Sequence, residues 1–183
     1  MESSIKKIWF TGSHGTGKTT QLEYFRTLHP EYSKLNLEVR DLVELGVINI
    51  NKKAKPWDEL AMKGRAMLQI LSASSPFICD RSWVCKCAYA QALPFPQELL
   101  EAYHVENTYA FPGMAEDELY IYFPPMIPLE DDGVRSIDPE YQKEIDLLVQ
   151  FYLDFFQIPF YTIETLSVQD RNFEIERVVF GEI

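Results

Sequence analysis

A glycine-rich segment near the N-terminus, Gly12-Ser13-His14-Gly15-Thr16-Gly17-Lys18-Thr19, constrains the fold of this chain more than any other part of it. It follows an apolar run at 7–11 and precedes a run with helical spacing at 18–28. Glycines let successive backbone N–H groups point toward a bound phosphate, and the helix that follows adds the positive end of its dipole. The segment therefore predicts a strand, a phosphate-binding loop and a helix, in that order.

This segment matches the pattern G-x-x-x-x-G-K-T throughout, and the pattern assigns roles to its residues. Lys18 is predicted to be catalytic and to bridge the β- and γ-phosphates of ATP, while the Thr19 hydroxyl is predicted to ligate Mg²⁺. The pattern assigns no chemical role to the side chain of His14. The predicted nucleotide-binding residues are Gly12, Ser13, His14, Gly15, Thr16, Gly17, Lys18, Thr19 and Thr20.

Short apolar runs alternate with runs of helical spacing along the whole chain. The predicted strands are at 7–11, 32–37, 76–80, 119–123 and 160–163, and the predicted helices are at 18–28, 40–45, 57–74, 83–92, 97–103, 139–156 and 168–180. Such alternation is typical of a mostly parallel sheet that is covered by helices on both faces. We therefore predict the three-layer α/β/α fold of P-loop NTPases, with five strands and a nucleoside- or nucleotide-kinase-like topology. Because no repeat or linker divides the sequence, residues 1–183 are expected to form a single P-loop kinase domain.

In a parallel sheet the carboxyl ends of the strands meet at one edge, so residues that follow different strands are expected to converge there. Asp80 ends the apolar run at 76–80 and is predicted to be catalytic and to hold Mg²⁺ beside Thr19. Its alternative role is to cap the helix that begins near Trp83. Arg81 is predicted to grip an anionic acceptor or the transferring phosphoryl group with two hydrogen bonds. The alternative for Arg81 is a surface ion pair.

Charged residues also follow the second predicted strand, and they are expected to face the phosphate loop across the cleft. A carboxylate at Glu38 would take the proton from an acceptor hydroxyl, and Arg40 and Asp41 would bind the acceptor. The alternative is that these acids stabilise the start of a helix while the arginine is solvated. The sequence leaves open whether Glu38, Asp41 or Asp80 acts as the base.

A loop with charges of both signs at 126–138 is predicted to be a lid over the site. Its Arg135 would be catalytic if closure brought the guanidinium to the γ-phosphate, and closure would also expel water. The alternative is an ordinary solvated surface loop. Asp138 is predicted to cap the helix that begins at Pro139.

Composition narrows the range of partners. The net charge is −11, and a protein that holds DNA through its phosphates needs a positive surface, so nucleic acid is disfavoured as a partner. No apolar run is long enough to span a bilayer, and no leader pattern is present, so a cytoplasmic protein is expected. The three clustered cysteines lack the spacing of a structural zinc site and are expected to be reduced thiols.

Three groups of segments together resemble a known family: Phe10 to Thr20, then Cys79-Asp80-Arg81-Ser82 with Ala88-Tyr89-Ala90, then Asp132-Gly133-Val134-Arg135-Ser136 with Tyr141 and Ile145-Asp146. They are similar to the small AAA-type P-loop kinases that are common in bacteriophages and are related to the nicotinamide riboside kinase domain of a bacterial NAD regulator. The resemblance implies ATP and Mg²⁺ as cofactors and transfer of the γ-phosphate to a hydroxyl or a phosphate. Some phage members phosphorylate hydroxymethylated pyrimidines in DNA.

Three functional hypotheses follow from the sequence. The first is a kinase whose acceptor is a nucleoside or a nucleoside monophosphate, in agreement with the short chain and the acidic composition. The second is a phage-type DNA kinase acting on hydroxymethylated bases, which requires a local positive groove despite the net charge. The third is an ATP-binding regulatory module, because a phosphate loop alone does not distinguish subclasses of NTPase.

Overall fold

The computed structural model describes residues 3–35, 37, 40–50, 53–95, 101, 116–131 and 136–181. Its strands are β1 (Lys7–Thr11), β2 (Ser33–Leu35), β3 (Phe77–Cys79), β4 (Glu118–Tyr122) and β5 (Phe160–Thr162). Its helices are α1 (Lys18–Leu28), α2 (Arg40–Glu44), α3 (Pro56–Ser72), α4 (Trp83–Gln91), α5 (Pro139–Phe155) and α6 (Val168–Phe180).

The five strands form one parallel sheet in the order β2-β3-β1-β4-β5. The central strand β1 pairs with β3 on one side and with β4 on the other. Because every strand points the same way, the segments that follow β1 and β3 leave the sheet next to each other. The predicted five-stranded P-loop fold is confirmed.

The side chains of β1 alternate between two cores, as expected for a strand with both faces covered. Trp9 packs with Trp83 and Tyr120 in the core beneath α3, α4 and α5. Phe10, on the opposite face, packs with Phe25 in the core beneath α1 and α6. The sheet is therefore the middle of three layers.

Two helix starts follow their sequence signals. Asp138 caps α5, since its Oδ1 accepts hydrogen bonds from the backbone N–H groups of Glu140 at 3.0 Å and Tyr141 at 3.4 Å. Ser167 caps α6 in the same way by accepting from the N–H of Asp170 at 3.1 Å. Asp80 does not cap α4, because the N-cap position there is held by Ser82.

Apart from β1, α1 and α6, the described elements differ from their predicted bounds by one or two residues at an end, and β2 is the strand shortened most. The strand expected at 32–37 covers only Ser33–Leu35, because its sole partner in the described sheet, β3, offers three residues for pairing. The helix expected at 97–103 lies outside the described residues apart from position 101. Within the part of the chain that the structure describes, no helix is long and apolar enough to cross a membrane.

Candidate active site

The phosphate loop connects β1 to α1, and its glycines adopt conformations that other residues avoid. Gly12, Gly15 and Gly17 have φ values of 141°, 72° and 82°. A Cβ at Gly12 would lie 2.5 Å from the carbonyl oxygen of Phe123, so a side chain there would collide with backbone. Glycine at position 12 is therefore required both by its φ value and by the close approach of Phe123.

Lys18 lies on the inside of this loop. Its Nζ donates hydrogen bonds to the carbonyl oxygen of Ser13 and, at 2.8 Å, to the hydroxyl of Thr16. The residue is only 5% exposed, so its ammonium group is held against the loop. This position agrees with a lysine that binds phosphate oxygens.

Thr19 and Asp80 meet at the start of α1. The Thr19 hydroxyl donates to Asp80 Oδ2 at 2.5 Å, and Asp80, which directly follows β3, is buried. A hydroxyl and a carboxylate are hard oxygen ligands, and Mg²⁺ in nucleotide sites commonly takes only one or two protein ligands beside phosphates and water. The pair therefore fits a magnesium ion, although the described residues contain no group of three or more acidic, histidine or cysteine side chains of the kind that binds other metals.

Arg81 lies beside this pair in a pocket with the phosphate loop. The pocket is lined by His14, Gly15, Thr16, Gly17, Lys18, Thr19, Asp80 and Arg81. The guanidinium carbon lies 5.2 Å from the centroid of the Tyr89 ring. Burial alone would lower the pKa of Arg81, but its attraction to Tyr89 and Asp80 outweighs burial and raises it. A permanently charged cation thus faces the phosphate site.

Helix α5 supports the phosphate loop from the α4 side. Gln142 Nε2 donates to the carbonyl oxygen of His14 at 2.7 Å, and the Tyr141 ring lies 5.7 Å from the His14 ring, centroid to centroid. His14 Nδ1 is 2.9 Å from the hydroxyl of Tyr89 on α4. His14 is 4% exposed, and its imidazole is thus part of the packing beneath the loop.

One turn further along α5, Asp146 lies beneath the same loop. The Ser13 hydroxyl is 3.5 Å from Asp146 Oδ1, and Oδ2 accepts hydrogen bonds from Tyr122 at 2.8 Å and Gln150 at 2.9 Å. Burial raises the pKa of Asp146, against the effect of these hydrogen bonds and of Lys18. Asp146 therefore connects α5, β4 and the phosphate loop.

The first part of the predicted lid lies directly on the loop. A Cβ at Gly15 would be 2.5 Å from Leu129 Cδ2, and one at Gly17 would be 3.3 Å from Ile127 Cδ1. The 126–131 segment thus packs two apolar side chains on the phosphate loop. Arg135, the predicted catalytic residue of this lid, lies outside the described residues.

A second group of charges lies between α3 and α4. Burial raises the pKa of Glu59, on α3, to about 7, while attraction to Lys86 and Arg81 opposes that rise and Asp58 adds to it. Burial lowers the pKa of Lys86, on α4, to about 8, and Arg81 lowers it further, while Glu59 acts in the opposite direction. The charge of Glu59 also reaches Tyr141 on α5. Arg81 therefore links this group to the phosphate-loop pocket.

Next to this group is a largely apolar cavity between α3 and α4. It is lined by Leu37, Lys63, Ala66, Met67, Ile70, Trp83 and Lys86. Glu59 and Lys63 are one helical turn apart and both are buried, so the N-terminal half of α3 directs charged side chains toward the protein interior. The cavity therefore has a mostly apolar wall, and its charged lining residues are Lys63 and Lys86.

The remaining predicted residues are distributed unevenly. Asp41 is exposed and pairs with Arg65 on α3, with Nη1 2.8 Å from Oδ1. Arg40 begins α2, but its side chain is outside what the structure describes, as is the whole of Glu38. The substrate-binding roles of Arg40 and Asp41 and the catalytic role of Glu38 stay predictions. Arg81 is the predicted acceptor residue that the structure brings to the phosphate loop.

Several site residues received no role from the sequence, although Asp146 belongs to the segments that carry the family resemblance. Gln142, Asp146 and Gln150 recur every four residues, so their common helix face was readable once α5 was predicted. The electrostatic interaction between Glu59 and Lys86 depends on how α3 and α4 pack, and no local sequence pattern predicts it.

A sequence profile described as an AAA domain matches residues 7–171. The chain belongs to this family. No protein of curated function matches its sequence.

The fold of this AAA-domain protein is similar to that of several solved structures. Deoxyadenosine kinase from M. mycoides, with dCMP and dCDP bound, has a TM-score of 0.69 and 15% identity over 97% of this chain and 100% of that one. NadR in complex with NAD and AMP-PNP has a TM-score of 0.71 and 17% identity over 97% of this chain and 50% of that one. YorR from Bacillus subtilis, in complex with phosphorylated GDP, has a TM-score of 0.56 and 12% identity over 96% of each chain. At such identities the likeness establishes a shared fold.

Proposed function

We propose that this AAA-domain protein is an ATP- and Mg²⁺-dependent kinase that transfers the γ-phosphate to a nucleoside or a nucleoside monophosphate. One observation carries the proposal: the phosphate loop, the Thr19–Asp80 pair and Arg81 line the same pocket. The loop and the pair account for binding of a triphosphate with its metal. Arg81 adds a cation where a second, anionic group would approach.

The residues divide the work of transfer between them. Thr19 and Asp80 would hold Mg²⁺, which neutralises charge on the β- and γ-phosphates when it is bound. Lys18 would bind phosphate oxygens from inside the loop, where its ammonium group already lies. Arg81 would stabilise the negative charge of the phosphoryl group as it moves to the acceptor. Arg135 would add a further positive charge from the lid.

Transfer to an acceptor is favoured over hydrolysis by the shielding of the loop. Ile127 and Leu129 pack on Gly17 and Gly15, and apolar side chains at that position limit the access of water. Attraction to Arg81 opposes the raised pKa of Glu59, so a carboxyl group of α3 acts on the same cation that lines the pocket, and we assign the α3 side to the acceptor. Glu59 thereby joins Glu38, Asp41 and Asp80 among the carboxylates that would accept a proton or a hydrogen bond from the acceptor.

The nucleoside-type acceptor is supported by what the solved relatives bind. Deoxyadenosine kinase holds dCMP and dCDP as products, and NadR has been solved with NR. The apolar cavity beside Lys63 and Lys86 offers this chain a surface for a flat, uncharged ring next to cationic groups.

The test is a transfer assay with [γ-³²P]ATP and Mg²⁺ on a panel of nucleosides and nucleoside monophosphates. We expect labelled product from at least one class of acceptor and none from Lys18→Ala. Absence of labelled product across the panel would overturn the proposal. ATP binding with slow hydrolysis alone would instead favour the regulatory module.

The panel includes an oligonucleotide that carries 5-hydroxymethylpyrimidine, because the sequence resembles phage kinases. The net charge of −11 opposes DNA as the acceptor, so we expect weaker labelling of the oligonucleotide than of free nucleosides at physiological salt. The reverse order of labelling would assign the protein to DNA modification.

A further inference from the structure

Arg171 reaches the phosphate loop from α6, on the face of the sheet opposite α4. Its Nη1 donates to the carbonyl oxygen of Thr16 at 3.0 Å, and its Nε donates to the carbonyl oxygen of Thr165 at 2.8 Å. The residue is 3% exposed, and its guanidinium carbon lies 5.8 Å from the centroid of the Phe123 ring. A Cβ at Gly17 would be 2.8 Å from Nη1, so the loop and the guanidinium fit closely only because position 17 is glycine.

The protein compensates the charge of Arg171 only weakly. Among the described residues it forms no ion pair, and Glu174 acts on it by Coulombic attraction alone. Burial lowers its pKa in spite of that attraction. Its Nη2 has no hydrogen-bond partner in the part of the chain that the structure describes. A buried cation in this state costs free energy, and such a group requires an explanation beyond packing.

The Thr16 carbonyl connects this cation to the phosphate site. The oxygen of Thr16 and the N–H of Gly17 belong to the same peptide unit, so a cation bound at the oxygen increases the positive charge on that N–H. The G-x-x-x-x-G-K-T pattern turns the N–H groups of this loop toward the phosphates. The charge of Arg171 would thus be felt by a polyphosphate on the other side of the loop.

We propose that Arg171 is a positioning residue for the donor, which holds the Thr16–Gly17 peptide toward the phosphates and strengthens their binding from behind the loop. The proposal rests on the proposed binding of a nucleoside triphosphate, and it concerns a residue outside the G-x-x-x-x-G-K-T pattern. Arg171 strengthens the binding of the polyphosphate part of the ligand. The base and the ribose do not contribute to the effect.

The test measures dissociation constants by calorimetry, without an acceptor, for tripolyphosphate, ATP, ADP and AMP with Mg²⁺. Arg171→Met should weaken ATP binding by about tenfold or more, the usual scale for a hydrogen bond to a charged group. ADP should lose less and AMP least, while tripolyphosphate should lose as much as ATP. Arg171→Lys keeps the charge but cannot donate to the Thr16 and Thr165 carbonyl oxygens at the same time in the same geometry, and it should lose only about threefold for ATP, between the wild type and the methionine variant.

The matched control is Arg177→Met on the same helix. The Arg177 guanidinium carbon lies 6.0 Å from the centroid of the Phe173 ring, and among the described residues Arg177 does not line the phosphate-loop pocket. This variant removes the same charge from the same element. It should leave all four dissociation constants within about twofold of the wild type, as expected for a surface charge.

Four results would overturn the proposal. An equal loss for ATP and AMP, or no loss for tripolyphosphate, would assign Arg171 to the nucleoside. If Arg171→Met does not fold, Arg171→Gln replaces it, and wild-type ATP affinity in that variant would dismiss the role of the charge. A wild-type protein that binds none of the four ligands would overturn this proposal and the kinase together. Tight ATP binding without transfer would overturn only the kinase.

Discussion

The proposed donor side and the proposed acceptor side of the Asp80–Arg81 turn are built in different ways. The proposed donor side is one continuous loop with three glycines at positive φ. On the proposed acceptor side, Glu59 and Lys86 lie on two different helices and interact electrostatically only in the folded protein. In the proposed kinase, donor recognition would therefore depend on local backbone geometry, and acceptor recognition would depend on tertiary packing. Substitutions on the donor side should affect every reaction, whereas those on the acceptor side should change the choice of acceptor.

The largest effect is expected on the donor side, at Lys18. Lys18→Ala should reduce kcat/KM by at least about a hundredfold for every acceptor, the scale for losing one charged contact to a reacting group. Lys34→Ala is the control, because Lys34 forms a surface ion pair with Glu23 at 2.7 Å and does not line the phosphate-loop pocket. A Lys18→Ala enzyme that retains wild-type turnover would place the phosphates elsewhere.

The predicted lid at 126–138 is expected to act on transfer more than on binding. Arg135→Ala should lower kcat by about a hundredfold or more and leave the dissociation constant of ATP nearly unchanged, by analogy with arginines that stabilise phosphoryl transfer. Rapid-quench kinetics and ATP titration measure the two quantities separately. An unchanged turnover number would remove Arg135 from the mechanism.

Two glycine substitutions compare the phosphate loop with an ordinary helix in their effect on the free energy of unfolding. Gly12→Ala should lower the free energy of unfolding by about 2–4 kcal/mol, since its Cβ would meet the Phe123 carbonyl oxygen at 2.5 Å and its φ is unfavourable for alanine. Gly64→Ala, in the interior of α3 with nothing near the new Cβ, should raise it by about 0.5–1 kcal/mol. Urea unfolding measures both. Equal effects would mean that the loop glycine is not required.

The raised pKa of Glu59 predicts a pH dependence of stability. Between its ordinary pKa of 4.5 and about 7, the folded protein keeps a proton that the unfolded chain has lost. The contribution of Glu59 is therefore complete below pH 4.5 and is lost as the pH rises through about 7. The Glu59→Gln variant is neutral at this position at every pH. Its free energy of unfolding, relative to that of the wild type, should therefore increase by about 1–3 kcal/mol as the pH rises across that window. A difference that does not vary with pH would mean that Glu59 is not desolvated.

The smallest effect is expected at Asp41, whose carboxylate is exposed and paired with Arg65. Asp41→Asn should leave the free energy of unfolding close to that of the wild type, because solvent screens such pairs. Arg65→Gln is the matched variant for the other partner. A raised acceptor KM in Asp41→Asn alone would support its predicted role in substrate binding.

The same contrast explains how much the sequence predicted. The elements Lys7–Thr11, Lys18–Leu28 and Val168–Phe180 were predicted at their observed bounds, because strong local signals mark their ends. The phosphate loop was equally readable, since its function is encoded in consecutive residues. Asp80 and Arg81 followed from the strand that precedes them.

What the sequence could not predict depends on packing between distant segments. The strand predicted at 32–37 is longer than the observed β2, because the length of β2 is limited by its pairing with β3, its neighbour in the sheet. Arg171 reaches Thr16 only through the packing of α6 beside α1. In the sequence, the buried Glu59 and the half-buried Lys86 look like ordinary solvated helix positions, so neither was predicted to belong to the site.

The central claim is that the γ-phosphate is handed to another molecule. The most direct measurement follows [γ-³²P]ATP in the presence of the best nucleoside-type acceptor and determines how the label divides between that acceptor and inorganic phosphate. A kinase with a shielded phosphate loop should place most of the label on the acceptor. Label found only in inorganic phosphate, at the same rate with and without acceptor, would contradict the account.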